Sequence, residues 1–147
     1  MKRKILIVED NVGLSQIQKD WLSRAGYDAV TAMSEPIARS LIRKTQFDLI
    51  LSDVRLPEGD GISLLEWLRK EKKDIPFIIT TEYVSVPDVV RTIKLGARDY
   101  LPKPVHREHL LELAEDVFHP VATVRKQERQ LFRRISPMIL KVEKFAR

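Results

Sequence analysis

The stretch that decides the fold covers residues 46–61 and reads QFDLILSDVRLPEGDG. It opens with a nearly continuous apolar run from Phe47 to Leu51, and a strand that is apolar on both sides is typical of a buried position in a parallel sheet. The run stops at the carboxylate of Asp53 and enters a turn rich in proline and glycine. Open α/β sheets bind their ligands at the ends of such strands, although most aspartates there simply begin a loop.

Short apolar runs alternate with helical periodicity along the rest of the chain. Strands are predicted at residues 4–8, 28–32, 47–52, 75–81 and 98–101, and a helix is predicted after each of them. Five such units predict a parallel sheet with helices on both faces. The first, third and fourth runs are the most apolar, so they should be central. The expected fold is therefore an α/β, flavodoxin-like, doubly wound sheet of order 2-1-3-4-5, followed by a C-terminal helical linker.

The composition excludes several classes of protein. The chain has 147 residues, which fits one domain plus an appendage. It contains no Cys, so disulfides and thiolate metal sites are excluded. No apolar run approaches the roughly 20 residues of a membrane helix, and the short apolar segment at residues 5–8 is not a signal peptide. A cytoplasmic protein with no membrane partner is expected.

The positive charge is concentrated in the C-terminal tail. Residues 1–120 carry 18 Lys and Arg against 19 Asp and Glu, whereas residues 121–147 carry 8 against 2. A basic tail can indicate nucleic-acid binding. Here the basic residues are interleaved with apolar ones, and there is no helix-turn-helix or aromatic stacking pattern. We therefore expect a solvated helix face and no direct nucleic-acid binding in this chain.

Charged and polar residues follow several of the predicted strands. Glu9 and Asp10 follow the first strand, Asp53 the third, Thr81 the fourth and Lys103 the fifth. Three carboxylates that meet at one edge of a sheet repel one another unless a cation joins them, and hard oxygen ligands suit Mg²⁺. A lysine and a hydroxyl facing that ion suit an anion, most simply a phosphoryl group. Each residue is a weak signal alone, but their joint placement is a much stronger one.

The motifs that carry these residues resemble the receiver domain of two-component response regulators over about residues 3–119. They read ILIVEDN at residues 5–11, DVRLPEGDG at 53–61, PFIITT at 76–81 and GARDYLPKP at 96–104. The resemblance implies a protein that accepts a phosphoryl group from a histidine kinase. Such a protein is not an enzyme, although it can dephosphorylate itself.

The resemblance also implies a role for each residue of the acidic cluster. Asp53 corresponds to the phospho-acceptor. Asp10 corresponds to the direct Mg²⁺ ligand, and Glu9 to the acid that holds the ion through water. The main-chain carbonyl of Arg55 is expected to be a further ligand.

The remaining implied roles concern the conformational switch. Thr81 corresponds to the switch hydroxyl, Tyr100 to the aromatic switch and Lys103 to the lysine that pairs with the phosphoryl group. Thr80 is an alternative for the switch hydroxyl. Matching the family's motif without gaps selects the residue five positions after Pro76, which is Thr81. The Lys103–Pro104 peptide corresponds to the family's cis bond. One departure is Glu82, because the family usually has a small residue after the switch threonine, and a long acid there should slow phosphorylation.

The tail is expected to be a helical linker at residues 121–147, following a receiver domain at 1–120. Its apolar residues recur at near-heptad spacing, which favours either a short coiled coil that pairs two copies or one amphipathic helix packed on its own domain. The positions are Val121, Val124, Leu131 and Ile135, with Glu128 at one apolar slot. A homodimer would also need the face of the fourth and fifth helices, with Val89, Ile93 and Leu110 where those are exposed.

A second helical signal begins at Ser136-Pro137. This stretch resembles the first segment of the ATPase domain in nitrogen-regulation-type (NtrC-like) sigma-54 activators, although the chain has no Walker A loop. The implied output is control of transcription. Two alternatives remain, a stand-alone receiver that acts by docking and a Mg²⁺-dependent phosphatase with Asp53 as nucleophile. Such phosphatases generally have a second acid two residues on, where this chain has Arg55.

Overall fold

The computed structural model describes residues 2–82 and 85–119. The strands are β1 Lys4–Val8, β2 Asp28–Ala32, β3 Leu49–Asp53, β4 Arg55–Leu56, β5 Gly59–Asp60, β6 Phe77–Thr81 and β7 Asp99–Pro102. The helices are α1 Val12–Arg24, α2 Glu35–Lys44, α3 Gly61–Lys70, α4 Val86–Lys94 and α5 Arg107–Phe118. The parallel sheet has the order β2-β1-β3-β6-β7, which confirms the predicted 2-1-3-4-5 because β4 and β5 form a separate two-stranded hairpin.

The central strands separate two apolar layers. Every residue of β3 and β6 is buried, as expected for strands covered on both faces. On one side, Leu65 of α3 and Val89 of α4 belong to the cluster that packs on the sheet. On the other side, Leu22 of α1 and Leu110 of α5 do the same. Burial of each such side chain contributes about 1.5–3 kcal/mol, so the sheet edge that carries the polar residues rests on a rigid support.

Four of the five helices begin at a side chain that caps them. Asn11, Ser34, Asp60 and Ser85 each accept a hydrogen bond from the backbone N–H three residues further on. These contacts satisfy donors that the first turn would otherwise leave unpaired. The caps therefore fix where each helix leaves the loop that follows a strand.

Apolar residues that recur at helical spacing predict a buried face on a helix, but some of these residues in α1 and α2 are exposed. Leu14 and Ile17 of α1 are 37% and 48% exposed, and the buried residues of α1 are Ser15, Gln18 and Leu22. Ile37 of α2, which is next to the buried Ala38, is 48% exposed. Successive helix positions are rotated by about 100°, so an apolar residue beside a buried position can face outward.

The predicted docking face on α4 and α5 also needs correction. Val89 and Leu110 are 0% and 1% exposed, because both belong to the core, whereas Ile93 is 44% exposed. Val90 is also exposed, so the apolar residues of α4 that face outward are Val90 and Ile93. The helix and coiled-coil predictions for residues 121–147 lie outside the described residues.

Several strand boundaries differ from the sequence prediction by one or two residues. β3 begins at Leu49 rather than at residue 47, and β6 begins at Phe77 rather than at residue 75. Phe47 and Ile75 are apolar, but they lie outside the paired registers of these strands. None of the helices in the described ranges is long and apolar enough to cross a lipid bilayer.

Candidate functional site

The carboxyl ends of four strands bring the predicted site residues together at one edge of the sheet. Glu9 follows β1 directly, Asp53 ends β3, Thr81 ends β6 and Lys103 follows β7. Parallel pairing places Asp53 opposite Thr80 and Thr81 opposite Pro102, so these strand ends lie side by side. All four residues and Asp10 line one cleft of about 630 Å³.

Lys103 joins two of the carboxylates. Its Nζ donates to Oε1 of Glu9 at 2.6 Å and to Oδ2 of Asp53 at 2.8 Å. The side chains of Lys103, Glu9 and Asp53 are only 9%, 3% and 11% exposed, so this is a largely buried network rather than a surface ion pair. Burying a charge is costly unless it is paired, and each of these three charges has a partner of opposite sign.

Burial and ion pairing shift the pKa values of Glu9 and Lys103 in opposite directions. Burial raises the pKa of Glu9, although Lys103 and the N–H of Asn11 work against it. Burial lowers the pKa of Lys103, but the hydrogen bonds to Asp53 and Glu9 and the negative charges of these two acids together exceed that effect and raise it. The ammonium therefore stays charged where it bridges the acids.

The acids form a donor set that fits a divalent cation. Oxygen atoms of Glu9, Asp10 and Asp53 lie within 4.8 Å of one another, with Asp10 exposed and the other two buried. Three carboxylates facing a single lysine leave an excess of negative charge. Hard oxygen ligands beside an open, solvated cleft suit Mg²⁺, which usually keeps several of its waters. Arg55 also lines the cleft, and its N–H donates to Oδ1 of Asp53 at 3.4 Å.

Thr81 and Tyr100, the two candidate switch residues, are both 1% exposed. Thr81 lines the cleft, whereas Thr80 is buried in the sheet and is not among the residues that line it. This placement favours Thr81 over its rival. Tyr100 belongs to the core cluster beneath α4. Burial raises the pKa of Tyr100 to about 12, helped by the negative charges of Asp88 and Asp53.

Glu82 stands at the rim of the site. It is exposed, and it lines both the acidic cleft and a neighbouring groove of about 450 Å³ beside Leu14, Ile17 and Trp21 of α1. A carboxylate at this position adds negative charge to the entrance of a cleft that already holds three acids.

The hairpin of β4 and β5, which follows Asp53 in the chain, is a feature that the sequence did not predict. Arg55 pairs with Asp60 and Leu56 with Gly59, so the turn after Asp53 folds back on itself. A Cβ atom at Gly61 would lie 2.2 Å from the carbonyl oxygen of Asp53, which makes this position a close approach of two backbones. The only sequence signal was the Pro and Gly content of the turn.

The residue that the sequence analysis missed is Glu35. Its position after Ser34 is typical of an exposed acid in the first turn of a helix. Instead it is 4% exposed, and its carboxylate accepts a hydrogen bond from the N–H of Asp60. No local pattern reveals this contact, because the two residues are 25 positions apart.

Comparison with known proteins agrees with this geometry. The model of the family described as "Response regulator receiver domain" matches residues 5–115. The transcriptional regulatory protein GlrR of Escherichia coli (strain K12) is 31% identical over 144 residues, which are 97% of this chain and 32% of that protein. The transcriptional regulatory protein ZraR of Salmonella typhimurium is 39% identical over 114 residues, which are 78% of this chain and 26% of that protein. The chain thus spans about a quarter to a third of these relatives.

Solved structures share the fold. A CheY-like response regulator receiver domain protein from Methanospirillum hungatei JF-1 superposes with a TM-score of 0.76 at 30% identity, covering 88% of this chain and 99% of that one. The non-phosphorylated HemR receiver domain from Leptospira biflexa gives 0.76 at 35% identity, covering 83% and 98%.

Proposed function

The chain belongs to the response regulator receiver domain family, and on that premise we propose that Asp53 is the residue that takes a phosphoryl group from the phosphohistidine of a histidine kinase. The observation that carries the proposal is the position of the Asp53 carboxylate. It ends a fully buried strand, opens into the acidic cleft and is held 2.8 Å from the Nζ of Lys103.

The transfer exchanges one bond to phosphorus for another. A carboxylate oxygen of Asp53 forms the new P–O bond while the P–N bond to the kinase histidine breaks, and the imidazole leaves. Glu9, Asp10, Asp53 and the main-chain carbonyl of Arg55 would hold Mg²⁺, which when bound neutralises charge on the phosphoryl oxygens. Positioning and charge neutralisation supply most of the catalysis in such transfers.

Lys103 supplies the second positive charge. Its ammonium has three donors and already contacts Asp53, so it is placed to pair with an oxygen of the incoming group. The hydroxyl of Thr81, at the edge of the same cleft, would bind another phosphoryl oxygen. Movement of Thr81 changes the packing around the buried Tyr100 and so reaches the surface of α4, β7 and α5. This is a two-state element biased by local charge.

The output is proposed from the relatives. GlrR and ZraR are transcriptional regulatory proteins, and the GlrR match covers 97% of this chain, so it extends well beyond the described residues. We place the chain in a cytoplasmic, NtrC-like sigma-54 activator, with residues 121–147 linking the receiver to a downstream ATPase domain. Homodimerisation through Val90 and Ile93 of α4, α5 and the linker would couple the switch to that output.

Phosphorylation of purified protein by a small donor tests the assignment. The 147-residue chain is incubated with acetyl phosphate, with and without Mg²⁺, and its intact mass is measured. One added phosphoryl group is expected only with Mg²⁺. The Asp53→Asn variant should gain none, whereas the control Asp48→Asn, which changes the acid directly before the other end of β3, should behave like the wild type. Equal phosphorylation of Asp53→Asn would refute the assignment.

A further inference from the structure

Glu35 is a buried carboxylate that the proposed phosphoryl transfer does not use. It is the first residue of α2, where an acid ordinarily faces solvent and interacts with the helix dipole. Here the residue is 4% exposed and its side chain 5%. Because burying a charge is unfavourable without partners, its contacts should show what the residue does.

The partners of Glu35 lie on three elements. Oε1 accepts from the backbone N–H of Asp60 at 2.9 Å, in β5. Oε2 accepts from the hydroxyl of Ser63 at 3.4 Å, in α3, and also pairs with the guanidinium of Arg39 one turn further along α2. Arg39 in turn lies over the ring of Trp67, 5.1 Å from its centroid. One carboxylate therefore joins α2 to the hairpin and to α3.

The hairpin is shaped to receive this carboxylate. Gly59 has φ of 156°, a conformation that L side chains rarely adopt, and a Cβ atom there would lie 2.1 Å from Oε1 of Glu35. The absence of a side chain at Gly59 lets the hairpin approach Glu35 closely enough for the Asp60 hydrogen bond.

The same hairpin carries the backbone of the acceptor site. Asp60 pairs with Arg55 across the two strands. The N–H of Gly61 donates to the carbonyl of Val54 at 2.7 Å, and a Cβ at Gly61 would collide with the carbonyl of Asp53. A path of direct contacts thus runs from Glu35 through Asp60 and Gly61 to the main chain of residues 53–55.

We propose that Glu35 is a positioning residue that fixes the hairpin, and with it the main-chain carbonyl of Arg55, at the place where the divalent cation binds. The inference rests on the proposed function, since it assigns the cation to the cleft of Glu9, Asp10 and Asp53. Groups that orient metal ligands without touching the metal typically change metal affinity by about 10- to 100-fold when they are removed. Glu35 acts through the backbone, so the lower end of that range, about tenfold, is expected.

The test measures cation binding without any phosphodonor. Dissociation constants for Mg²⁺ and for Mn²⁺ are measured by calorimetry on the 147-residue chain. Glu35→Ala removes the acceptor for the Asp60 N–H and should weaken binding about tenfold. Glu35→Gln keeps that acceptor and should restore most of the affinity. Glu66→Ala is the matched control, because Glu66 also pairs with an arginine but on the surface of α3, and its affinity should equal that of the wild type.

Two further measurements separate positioning from general stability. Hydrogen exchange of the Asp60 amide should accelerate in Glu35→Ala more than exchange of amides in β1. The double variant Glu35→Ala/Arg39→Ala leaves no unpaired arginine behind, so it folds even if the single variant does not, and it should bind Mg²⁺ as weakly as the single variant. Wild-type affinity in the folded double variant would overturn the proposal. A wild-type chain that binds no Mg²⁺ would instead overturn the metal assignment itself.

Discussion

Replacement of Lys103 by methionine tests the charge balance of the site. Methionine has a similar length but no charge, so Glu9 and Asp53 lose the ammonium that lies 2.6 and 2.8 Å from them. Removing one partner of a buried ion pair costs about 3–5 kcal/mol. The lower end, about 3 kcal/mol, is expected here because the cleft gives water access to the acids. For a domain of this size that loss corresponds to a fall in Tm of about 10 °C.

The loss should depend on whether a divalent cation is present. Without Lys103 the three acids should bind Mg²⁺ more tightly, since a positive charge at a few Å contributes several kcal/mol of repulsion at an effective dielectric constant of about 20. Tighter binding to the folded state stabilises it further. The free energy of unfolding of Lys103→Met should therefore rise more on adding Mg²⁺ than that of the wild type, and recover much of the lost 3 kcal/mol or so.

The assay is urea unfolding of wild type and variant in EDTA and in excess Mg²⁺. Lys70→Met is the matched control, because Lys70 pairs with Glu66 at 3.3 Å but its side chain is 75% exposed. Surface pairs contribute about 0–1 kcal/mol, so this variant should differ little from the wild type in either condition. A Lys103→Met protein that is as stable as the wild type in EDTA, or whose deficit is the same with and without Mg²⁺, would refute the reasoning.

Three other outcomes are expected. Glu82→Ala should speed phosphorylation by acetyl phosphate severalfold at low salt, since a like charge a few Å from the donor costs on the order of 1 kcal/mol; equal rates would show that Glu82 does not face the donor. In an ultraviolet titration, Tyr100 should ionise last, near pH 12. Its pKa is raised, so the stability it contributes is complete below pH 10.0 and is lost as pH rises through 12; Tyr100→Phe should remove that last step, and its persistence in the variant would contradict the assignment. The dimer is tested by sedimentation of the full chain and of a version ending at Pro120, each with and without a phosphoryl mimic. Only the full chain should dimerise, and its free energy of dimerisation should change by about 1–3 kcal/mol between the two states. Monomers in every state would refute the dimer.

The sequence predicted the fold well because the fold depends on strong local signals. Each buried strand is a short apolar run. Asn11, Ser34 and Ser85 are of the residue types that favour the start of a helix, and each of them caps a helix in the structure. The convergence of Glu9, Asp53 and Lys103 also followed from topology, since parallel strands end at a common edge. The sequence did not predict which face of a helix is buried where that face depends on packing against other elements. Leu14 and Ile17 have the right spacing for a core helix, but α1 turns them toward the groove beside Trp21.

Tertiary contacts over long sequence separations account for the rest of the site. The Pro and Gly residues after Asp53 indicate a turn, but not that the turn pairs as a hairpin or that its Asp60 amide meets a carboxylate of α2. Glu35 has no local feature that distinguishes it from an exposed first-turn acid. Its burial becomes visible only when Gly59 and Asp60 are brought next to it. The role of such a supporting residue depends on its tertiary contacts, so a local sequence motif does not reveal it.

The balance of positive and negative charge in the cleft also limits how Asp53 could be phosphorylated. Lys103 is shared between Glu9 and Asp53. The acids of the cleft already carry more negative charge than this one ammonium balances, and a phosphoryl group on Asp53 would add to that excess. If Lys103 turns to the phosphoryl oxygens, Glu9 loses its pairing cation while it remains 2% exposed. Burial already raises the pKa of Glu9, so this carboxyl must then take up a proton or share a second cation with Asp10. The second course keeps the negative charge that binds the cation. Acceptance of a phosphoryl group at Asp53 should therefore be tightly linked to divalent cation binding at Glu9 and Asp10.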